Sequence, residues 1–514
     1  MCALLASGTL ACGCIFGQSP IATPQPTSRV VLPVDESKMV TLHGNTRPEA
    51  KPLFDKGRVD PQLAMDRMLL VLQRSPEQEA ALEGLLQRQL DPGSPDFHHW
   101  LSPEDFGALY GPSDLDIQIV TSWLQSHGFS VEGVSKGRTF LQFSGTAALV
   151  QQAFHTEIHR YVVHGEEHIA NSSDPSIPMA LSPVVAGIFS LNDFQATPLH
   201  HDLGTFHRDP RTGKWIPENQ NLITQPLLRV VSDYGTFELV TPYDFATIYN
   251  VAPLWTAGID GTGQTIAIAG RSDINLSDVA TFRSSFGLDS SNVPNVIING
   301  ADPGYPTAGD RLENTLDVEW SGGIAKGATI DFVTTMSTKS TDGAFASALY
   351  IIDNAIAPVM SFSYGLCELY MGASGNAGYD LLWQQGAAEG ISEFVASGDG
   401  GAATCDAGGT PPYTASNGFA VSGISSTPYD IAVGGTDLNW ANNSGTTYWN
   451  STNTANGSNA RGYMPEVPWN ATCVGDAVDQ LIGATNLDEE QTCQTLLNYG
   501  IDLSLVSVTG GGGG

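Results

Sequence analysis

The sequence is poor in basic residues, in charge of either sign and in long apolar runs. Its 514 residues contain 22 Lys and Arg against 54 Asp and Glu, which gives a formal net charge of -32. This balance argues against nucleic-acid binding, because the release of counterions from phosphates needs clustered Lys and Arg. No apolar run reaches the roughly 18 residues of a membrane-spanning helix, so we expect no membrane span. An acidic chain suits secretion into an acidic medium, although many soluble proteins are also acidic.

Histidine is missing from the second half of the chain. All eleven histidines lie between His43 and His207. A Ser-His-Asp or Cys-His hydrolase is therefore excluded after residue 207, and so is a His-ligated metal site there. Acid–base chemistry in that half must use carboxylates. These remain functional as bases at acid pH, where an imidazole is already protonated.

The apolar N-terminus contains three of the seven cysteines. Residues 1–18 are rich in small residues and are predicted to be a signal peptide, although they lack its basic n-region. An incomplete or wrongly assigned start would explain that gap. A lipoprotein anchored through Cys12 is an alternative, but the residues before Cys12 fit a lipobox poorly.

The other four cysteines lie in the second half, and their even number suits two disulfides in an exported protein. Pairing of nearest neighbours is one of three connectivities. A zinc site is less favoured, because neither a CxxC pair nor a nearby His accompanies them. These cysteines are Cys367, Cys405, Cys473 and Cys493.

The first half of the chain predicts a compact α+β domain over residues 30–195. In "SPEQEAALEGLLQRQL", Ser75 is an expected N-cap, Pro76 the first helical residue and Gln78 the partner in a capping box. Strand-like and amphipathic helical segments alternate here, which indicates a small open sheet covered by helices. Residues 196–238 are polar and weakly periodic, and we interpret them as a linker.

From residue 239 to residue 514 the pattern changes. Short apolar runs such as "QTIAIAG", "APVMSFSYG" and "ISEFVASGD" end in small residues and alternate with helical stretches. This pattern predicts an α/β domain with a parallel sheet. Functional groups are then expected at the carboxyl ends of its strands.

Three places in this domain could supply chemistry. Glu313 and Asp317 in "RLENTLDVEW" are four residues apart and share one helix face, where a proton can be shared. On spacing alone, a solvated helix face is the more common explanation. Asp399 in "ASGDGG" directly follows an apolar strand, as an ordinary turn residue also would. The segment 361–365, "SFSYG", offers strand-end backbone that could pair with an extended substrate, or it is plain sheet core.

As an ordered set, these motifs resemble the sedolisin family, the serine-carboxyl peptidases of kumamolisin type. "FHHWLSPEDFGALYG" resembles the family's activation prodomain, and "TPYDFATIYN" with "GTGQTIAIAG" resembles the start of its subtilisin-like catalytic domain. The order ExxxD, SYG, SGDxG and AVGGT is similar to that of the family. The resemblance covers most of the chain.

The resemblance implies a role for each matching residue. Glu313 would be the general base, Asp317 would orient it, and Asp399 would be a protonated acid that donates to the oxyanion. The backbone of Ser363, Tyr364 and Gly365 would bind substrate. A calcium ion is also implied by the family, with its ligands expected beyond this chain and none within it.

The sequence departs from the family at three points. Some members extend the carboxylate network with a Glu after the first strand and a Trp in the SYG segment, where this chain has Arg271 and Tyr364. The nucleophile of the family lies in a GTSxxxP motif, and these 514 residues contain none. "VGGTDL" has Asp437 where the serine would be needed. We therefore expect a fragment, with a natural pseudoenzyme as the alternative.

The expected function is that of a secreted acid peptidase precursor. Its prodomain would cover the cleft, be cut off within residues 196–238, and be loosened when His98, His99, His155 and His159 are protonated. A glycoside hydrolase would also use paired carboxylates, but it gives the prodomain no role. A secreted binding protein with a degenerate peptidase fold is the non-enzyme alternative. Cleavage preference, and endopeptidase against tripeptidyl-peptidase action, are not readable from the sequence.

Overall fold

The computed structural model describes residues 26–198, 240–406, 417–438 and 447–470, together with short pieces at 206–208, 215–217, 491, 494–495, 498 and 510–512. The predicted signal peptide, Cys473 and Cys493 lie outside the described residues. Among the helices described, none has the length and apolar character needed to cross a membrane.

The N-terminal unit is an α+β structure, as predicted. Its core sheet is antiparallel, with strand order β4-β5-β3-β9, and a second sheet has the order β2-β6-β7. The strands are β1 Met39–Thr41, β2 Asp55–Arg58, β3 Ala64–Leu72, β4 Ser130–Val134, β5 Phe140–Thr146, β6 Ile158–Val163, β7 Glu166–Asn171, β8 Ser176–Pro178 and β9 Val185–Ile188. The helices are α1 Pro76–Leu90, α2 Pro103–Tyr110, α3 Asp114–Ser126 and α4 Ala147–Phe154.

The predicted capping box at the start of α1 is confirmed. The backbone N–H of Gln78 donates to the Ser75 hydroxyl at 3.2 Å, and the Gln78 side-chain oxygen accepts from the Ser75 backbone N–H at 3.0 Å. At the start of α3, the Ser113 hydroxyl accepts the backbone N–H of Asp116 at 3.2 Å. These local bonds satisfy N–H groups that a helix start leaves open, which is why short-range sequence signals located both helices.

The following part of the chain contains twelve strands and six helices among the described residues. The strands are β10 Thr197–Pro198, β11 Phe206–Arg208, β12 Trp215–Pro217, β13 Thr265–Gly270, β14 Asn295–Ile298, β15 Thr329–Thr334, β16 Val359–Phe362, β17 Tyr364–Gly365, β18 Ser392–Ala396, β19 Ile431–Val433, β20 Thr436–Leu438 and β21 Glu466–Pro468. The helices are α5 Pro242–Ile248, α6 Ala252–Thr256, α7 Leu276–Ser285, α8 Ala308–Ile324, α9 Gly343–Asp353 and α10 Glu368–Ala388. Helix α10 is kinked at Gly372, whose φ of 67° is the left-handed region that favours glycine.

A six-stranded sheet of order β14-β15-β13-β16-β18-β19 forms the centre of this α/β unit. Every pair of neighbouring strands in it is parallel. In the central strand β13, Ile268 packs with Val318 of α8, whereas Ala267 and Ala269 pack with residues of α9 and α10. Both faces are thus covered by helices, and the predicted α/β fold class is confirmed.

The two units meet at a contact that we call the docking interface, formed by Glu79, Lys136 and Gly137 against Asp353 and Gln384. The Asp353 carboxylate accepts the backbone N–H groups of Lys136 and Gly137 at 2.8 and 3.0 Å. The Gln384 side chain donates to the Glu79 carboxylate at 2.7 Å. The turn of the N-terminal unit is therefore held by a specific, partly buried carboxylate.

A second contact joins the start of β3 to the loop before α9. The hydroxyls of Thr338 and Ser340 donate to the backbone oxygen of Asp66 at 2.8 and 2.6 Å, and the Thr341 hydroxyl donates to that of Arg67 at 2.6 Å. Arg67 has a φ of 61° at an irregularity in the strand. The bend turns the backbone oxygens of Asp66 and Arg67 away from the hydrogen bonds of the sheet and towards the loop before α9.

Candidate active site

Helix α8 carries the first predicted pair of carboxylates. The helix begins after Thr307, whose hydroxyl accepts the backbone N–H of Asp310 at 3.0 Å. Glu313 is 6% exposed and Asp317 is half-buried. A solvated helix face, which the spacing alone favours, is therefore wrong, because both side chains turn towards the protein and not towards water.

Ser363 connects this helix to the edge of the sheet. Its hydroxyl donates to Oδ1 of Asp317 at 2.8 Å. Ser363 lies between β16 and β17, so the bond fixes the Asp317 carboxylate against the carboxyl end of the sheet. The sequence predicts Ser363 as part of a substrate-binding backbone, and the structure adds this role for its side chain.

An extended piece of the chain lies against β17. Residues 195–198, which we call the cleft strand, include β10, and β10 pairs antiparallel with β17 so that Thr197 faces Gly365 and Pro198 faces Tyr364. The backbone of β17 thus binds an extended segment of the chain itself, and its binding of a substrate stays a prediction. The segment is the first part of the predicted linker, and with β17 it forms a separate two-stranded sheet.

Tyr364 contributes only backbone to that pairing. Its side chain is 0% exposed and lies in the apolar core of the α/β unit. Burial raises the pKa of its hydroxyl well above the ordinary value. The hydroxyl instead accepts a hydrogen bond at 2.9 Å from the side-chain amide of Asn314, a neighbour of Glu313 on α8.

Asp399 follows β18, which neighbours β16 in the sheet. Its backbone oxygen accepts the N–H of Gly510 at 2.9 Å, and the oxygen of Gly398 accepts that of Gly512 at 2.9 Å. A Cβ at Gly512 would overlap the backbone oxygen of Ser397. The glycine-rich end of the chain therefore runs directly along the turn that carries Asp399, and only glycine fits there.

Arg271 is the site residue whose partners the sequence did not reveal. Its guanidinium is bonded to Asp310 at 2.8 Å and to Asp342 at 3.2 Å, and it lies over the Tyr364 ring at 4.9 Å from the centroid. Its backbone N–H donates to the side-chain oxygen of Asn314 at 3.3 Å. An arginine directly after a buried strand is a signal for such a network, but it names no partner.

Glu319, also on α8, belongs to a different environment from Glu313. Burial raises its pKa to about 8, and the charge of Asp278 on α7 adds to the rise. Its proximity to Asp278 of α7 distinguishes it from Glu313, although both belong to "RLENTLDVEW".

A metal site and a disulfide are two further predictions for this unit. Among the described residues, no group of three or more His, Cys, Asp or Glu side chains is placed to hold a metal ion. The calcium that the family implies, with its ligands expected beyond this chain, stays a prediction. Cys367 and Cys405 have their Cα atoms 4.9 Å apart. Their spacing satisfies the nearest-neighbour pairing, although formation of the disulfide stays a prediction.

The comparisons with known proteins agree with this arrangement. A family model described as Pro-kumamolisin, activation domain, matches residues 53–194. The chain is 27% identical over 504 residues to sedolisin of Pseudomonas sp. (strain 101), across 94% of this chain and 79% of that protein. These matches support a sedolisin-family member with an N-terminal prodomain. Proteins of that family are serine-carboxyl peptidases, so the similarity supports a serine-type peptidase.

Two further relatives show how much of a family member the chain spans. It is 29% identical to xanthomonalisin of Xanthomonas sp. (strain T-22), over 72% of this chain and 46% of that protein. It is 28% identical to tripeptidyl-peptidase 1 of Canis lupus familiaris, over 74% of this chain and 63% of that protein. A solved Pseudomonas sedolisin in complex with pseudo-iodotyrostatin is 24% identical, with a TM-score of 0.31, and covers 49% of this chain and 68% of its own.

Proposed function

We propose that the chain is the precursor of a secreted, acid-acting serine-carboxyl peptidase. The observation that carries this proposal is the antiparallel pairing of residues 197–198 with β17, beside the hydrogen bond from Ser363 to Asp317. An extended peptide is thereby held where the carboxylates of α8 reach the edge of the sheet. Strand addition of this kind recognises peptides through their backbone.

In the proposed mechanism each carboxyl group has one task. Glu313 takes the proton from the serine hydroxyl as its oxygen attacks the carbonyl carbon of the peptide bond, and Asp317 orients Glu313. Asp399, protonated, donates to the oxygen on which negative charge develops. Glu313 then returns the proton to the leaving nitrogen, and water hydrolyses the acyl ester. Since Asp399 must be protonated to donate, the mechanism favours acid pH.

The mechanism needs a serine nucleophile in a GTSxxxP motif, and these 514 residues contain no such motif. The proposed mechanism needs such a serine close to Asp399, where the backbone N–H of Gly510 donates to the Asp399 oxygen. Reading the coding frame beyond codon 514 tests this part. A GTSxxxP motif there supports the peptidase, whereas a stop codon favours the inactive binding protein. Calcium binding is proposed with ligands outside the described residues, and no step of the mechanism uses it.

The prodomain is proposed to act as the intramolecular inhibitor. The cleft strand covers the backbone of β17 that a substrate needs, so an incoming peptide must displace it. Removal of the prodomain would begin with a cut within residues 196–238, on the C-terminal side of Pro198. Sequencing the new N-terminus that appears at acid pH tests this.

The decisive experiment measures peptide cleavage between pH 3 and 7 by the protein carrying its serine segment. We expect Glu313→Gln to lower kcat by about 10²–10⁴-fold and Asp399→Ala by about 10²–10³-fold. Glu319→Gln, on the same helix but facing α7, is the matched control and should retain activity. Full activity of the Glu313 variant would overturn the mechanism. Release of sugars instead of peptides would favour the glycoside hydrolase.

A further inference from the structure

Asp342 lies where the cleft strand enters the α/β unit, and its two oxygens have separate partners. Oδ1 accepts the backbone N–H of Ala344 at 2.9 Å, as the cap of α9, and the Arg271 guanidinium at 3.2 Å. Oδ2 accepts the backbone N–H of Ala196 at 2.8 Å. Oδ1 therefore stabilises the fold, whereas Oδ2 binds the backbone of the cleft strand.

Arg271 orients the Asp342 carboxylate and balances part of the charge around it. The guanidinium lies between Asp310 and Asp342, so the three groups together carry one negative charge. Burial lowers the pKa of Arg271, but the two carboxylates outweigh burial and raise it above its ordinary value. A charged acceptor forms a stronger hydrogen bond than a neutral one, so Oδ2 is a strong acceptor for a peptide N–H.

The residue that donates this N–H fills a restricted space. Ala196 is 1% exposed and packs in the core of the α/β unit. The cavity next to it has a volume of about 50 Å³, close to that of one or two water molecules. The α/β unit lines this cavity with Ser340, Asp342, Leu366, Met371 and Tyr379. The N-terminal unit lines the rest of the cavity, with residues such as Arg47, Phe189 and Phe194, so this space is restricted while the prodomain is docked.

We propose that Asp342 is a specificity-determining residue of the cleft. It accepts the backbone N–H of the peptide residue that precedes the pair bound to β17, and it selects a residue with a free N–H at that position. Proline or an N-alkylated residue is excluded there. Arg271 is its positioning residue. This inference deepens the proposed function, because it treats the cleft strand as a stand-in for a substrate peptide.

The first test uses the full chain and needs no catalysis. Ala196→Pro removes the N–H, whereas the matched control Ala196→Gly keeps it. Amide exchange in a segment covering residues 363–366 should become at least about tenfold faster in the proline variant. It should stay within about threefold of the unsubstituted chain in the glycine variant. Equal protection in both variants would overturn the proposal.

Asp342→Asn separates binding from folding. Asparagine can still cap α9, but its oxygen is neutral, so exchange in 363–366 should rise by about tenfold while the melting temperature changes little. If exchange and melting temperature change together, as in a general loss of α9, Asp342 is only structural and the proposal fails. Unchanged exchange would overturn it as well.

A second test asks whether a separate peptide uses the same acceptor. The peptide Gln-Ala-Thr-Pro-Leu, which copies residues 195–199, is added in excess to the Ala196→Pro chain. It should restore protection of 363–366, and the same peptide with an N-methylated alanine should not. Equal protection by both peptides, or protection by neither, would overturn the proposal. Since these readouts need no cleavage, failure of the proposed mechanism would appear separately, in the peptidase assay.

Discussion

Besides the loop contact at Asp66 and Arg67, the prodomain contacts the α/β unit at the docking interface and through the cleft strand, and these last two contacts are built from different groups. The docking interface combines the Asp353 carboxylate, which accepts two backbone N–H groups of a prodomain turn, with a side-chain contact between Gln384 and Glu79. The cleft strand uses mainly its backbone, through the pairing of β10 with β17 and the bond from Ala196 to Asp342.

Because of this difference, the α/β unit can recognise its prodomain through one set of groups and an extended peptide through another. Side-chain contacts such as that of Gln384 with Glu79 depend on this particular partner. Backbone contacts can be copied by any extended peptide of suitable shape. The docking interface can therefore keep the prodomain in place while the cleft strand is exchanged for substrate. The following changes test that separation.

Loss of the predicted Cys367–Cys405 bridge should have the largest effect, and only on the cleft side. The bridge closes a loop with a sequence separation of 38, which corresponds to about 4 kcal/mol of unfolding free energy. Cys367→Ser should speed amide exchange in 363–371 and leave the docking interface protected. Reduction of the unsubstituted chain should give the same result. Unchanged exchange in both would show that no such bridge forms.

Asp353→Ala should destabilise the docking interface by about 2–4 kcal/mol, since the backbone N–H groups of Lys136 and Gly137 lose their acceptor. Amide exchange at Lys136 and Gly137 reports the loss, and protection of residues 363–366 should persist. Asp353→Asn, which keeps an acceptor oxygen, is the control and should lie in between. Equal loss of protection at both contacts would show that they are one cooperative unit.

The docking side should also depend on pH through Glu389. The prodomain covers this end of α10, where the Leu101 N–H donates to the Ala388 oxygen at 3.1 Å. Burial raises the pKa of Glu389 from 4.5 to about 8. Because the folded-state pKa is the higher one, this contribution to stability is fully present below pH 4.5 and is lost as the pH rises towards 8.

Glu389→Gln should therefore reduce the fall in melting temperature between pH 5 and pH 8 by a few degrees. Glu83→Gln on the exposed face of α1 is the control and should leave that fall unchanged. A larger fall in melting temperature in the Glu389→Gln variant would contradict the raised pKa of Glu389.

The smallest effect is expected at His159. Its ring nitrogens lie 2.8 Å from Asp55 and 3.1 Å from Glu157. A protonated ring there would form ion pairs, which opposes the expected loosening of the prodomain on protonation. Because such partly exposed pairs contribute about 0–1 kcal/mol, His159→Gln should hardly shift the pH at which the prodomain loosens. A large shift towards lower pH would restore the loosening hypothesis for this residue.

Most of the fold could be predicted from the sequence, because its signals are local. The Ser75–Gln78 capping box and the apolar run of β13 concern neighbours in the chain, and the structure contains both elements. The linker boundary was less accurate. Residues 197–198, placed in a polar linker, are ordered by β17, which lies more than 160 residues further along the chain.

The sequence by itself determined the order of the motifs, the absence of histidine from the α/β unit and hence the restriction of its chemistry to carboxylates. The tertiary structure alone decided that Glu313 is buried, that Ser363 binds Asp317, and that Arg271 joins Asp310 to Asp342. The physical reason is range. Caps and strand periodicity act between near neighbours, whereas burial and ion pairing depend on groups that only folding brings together.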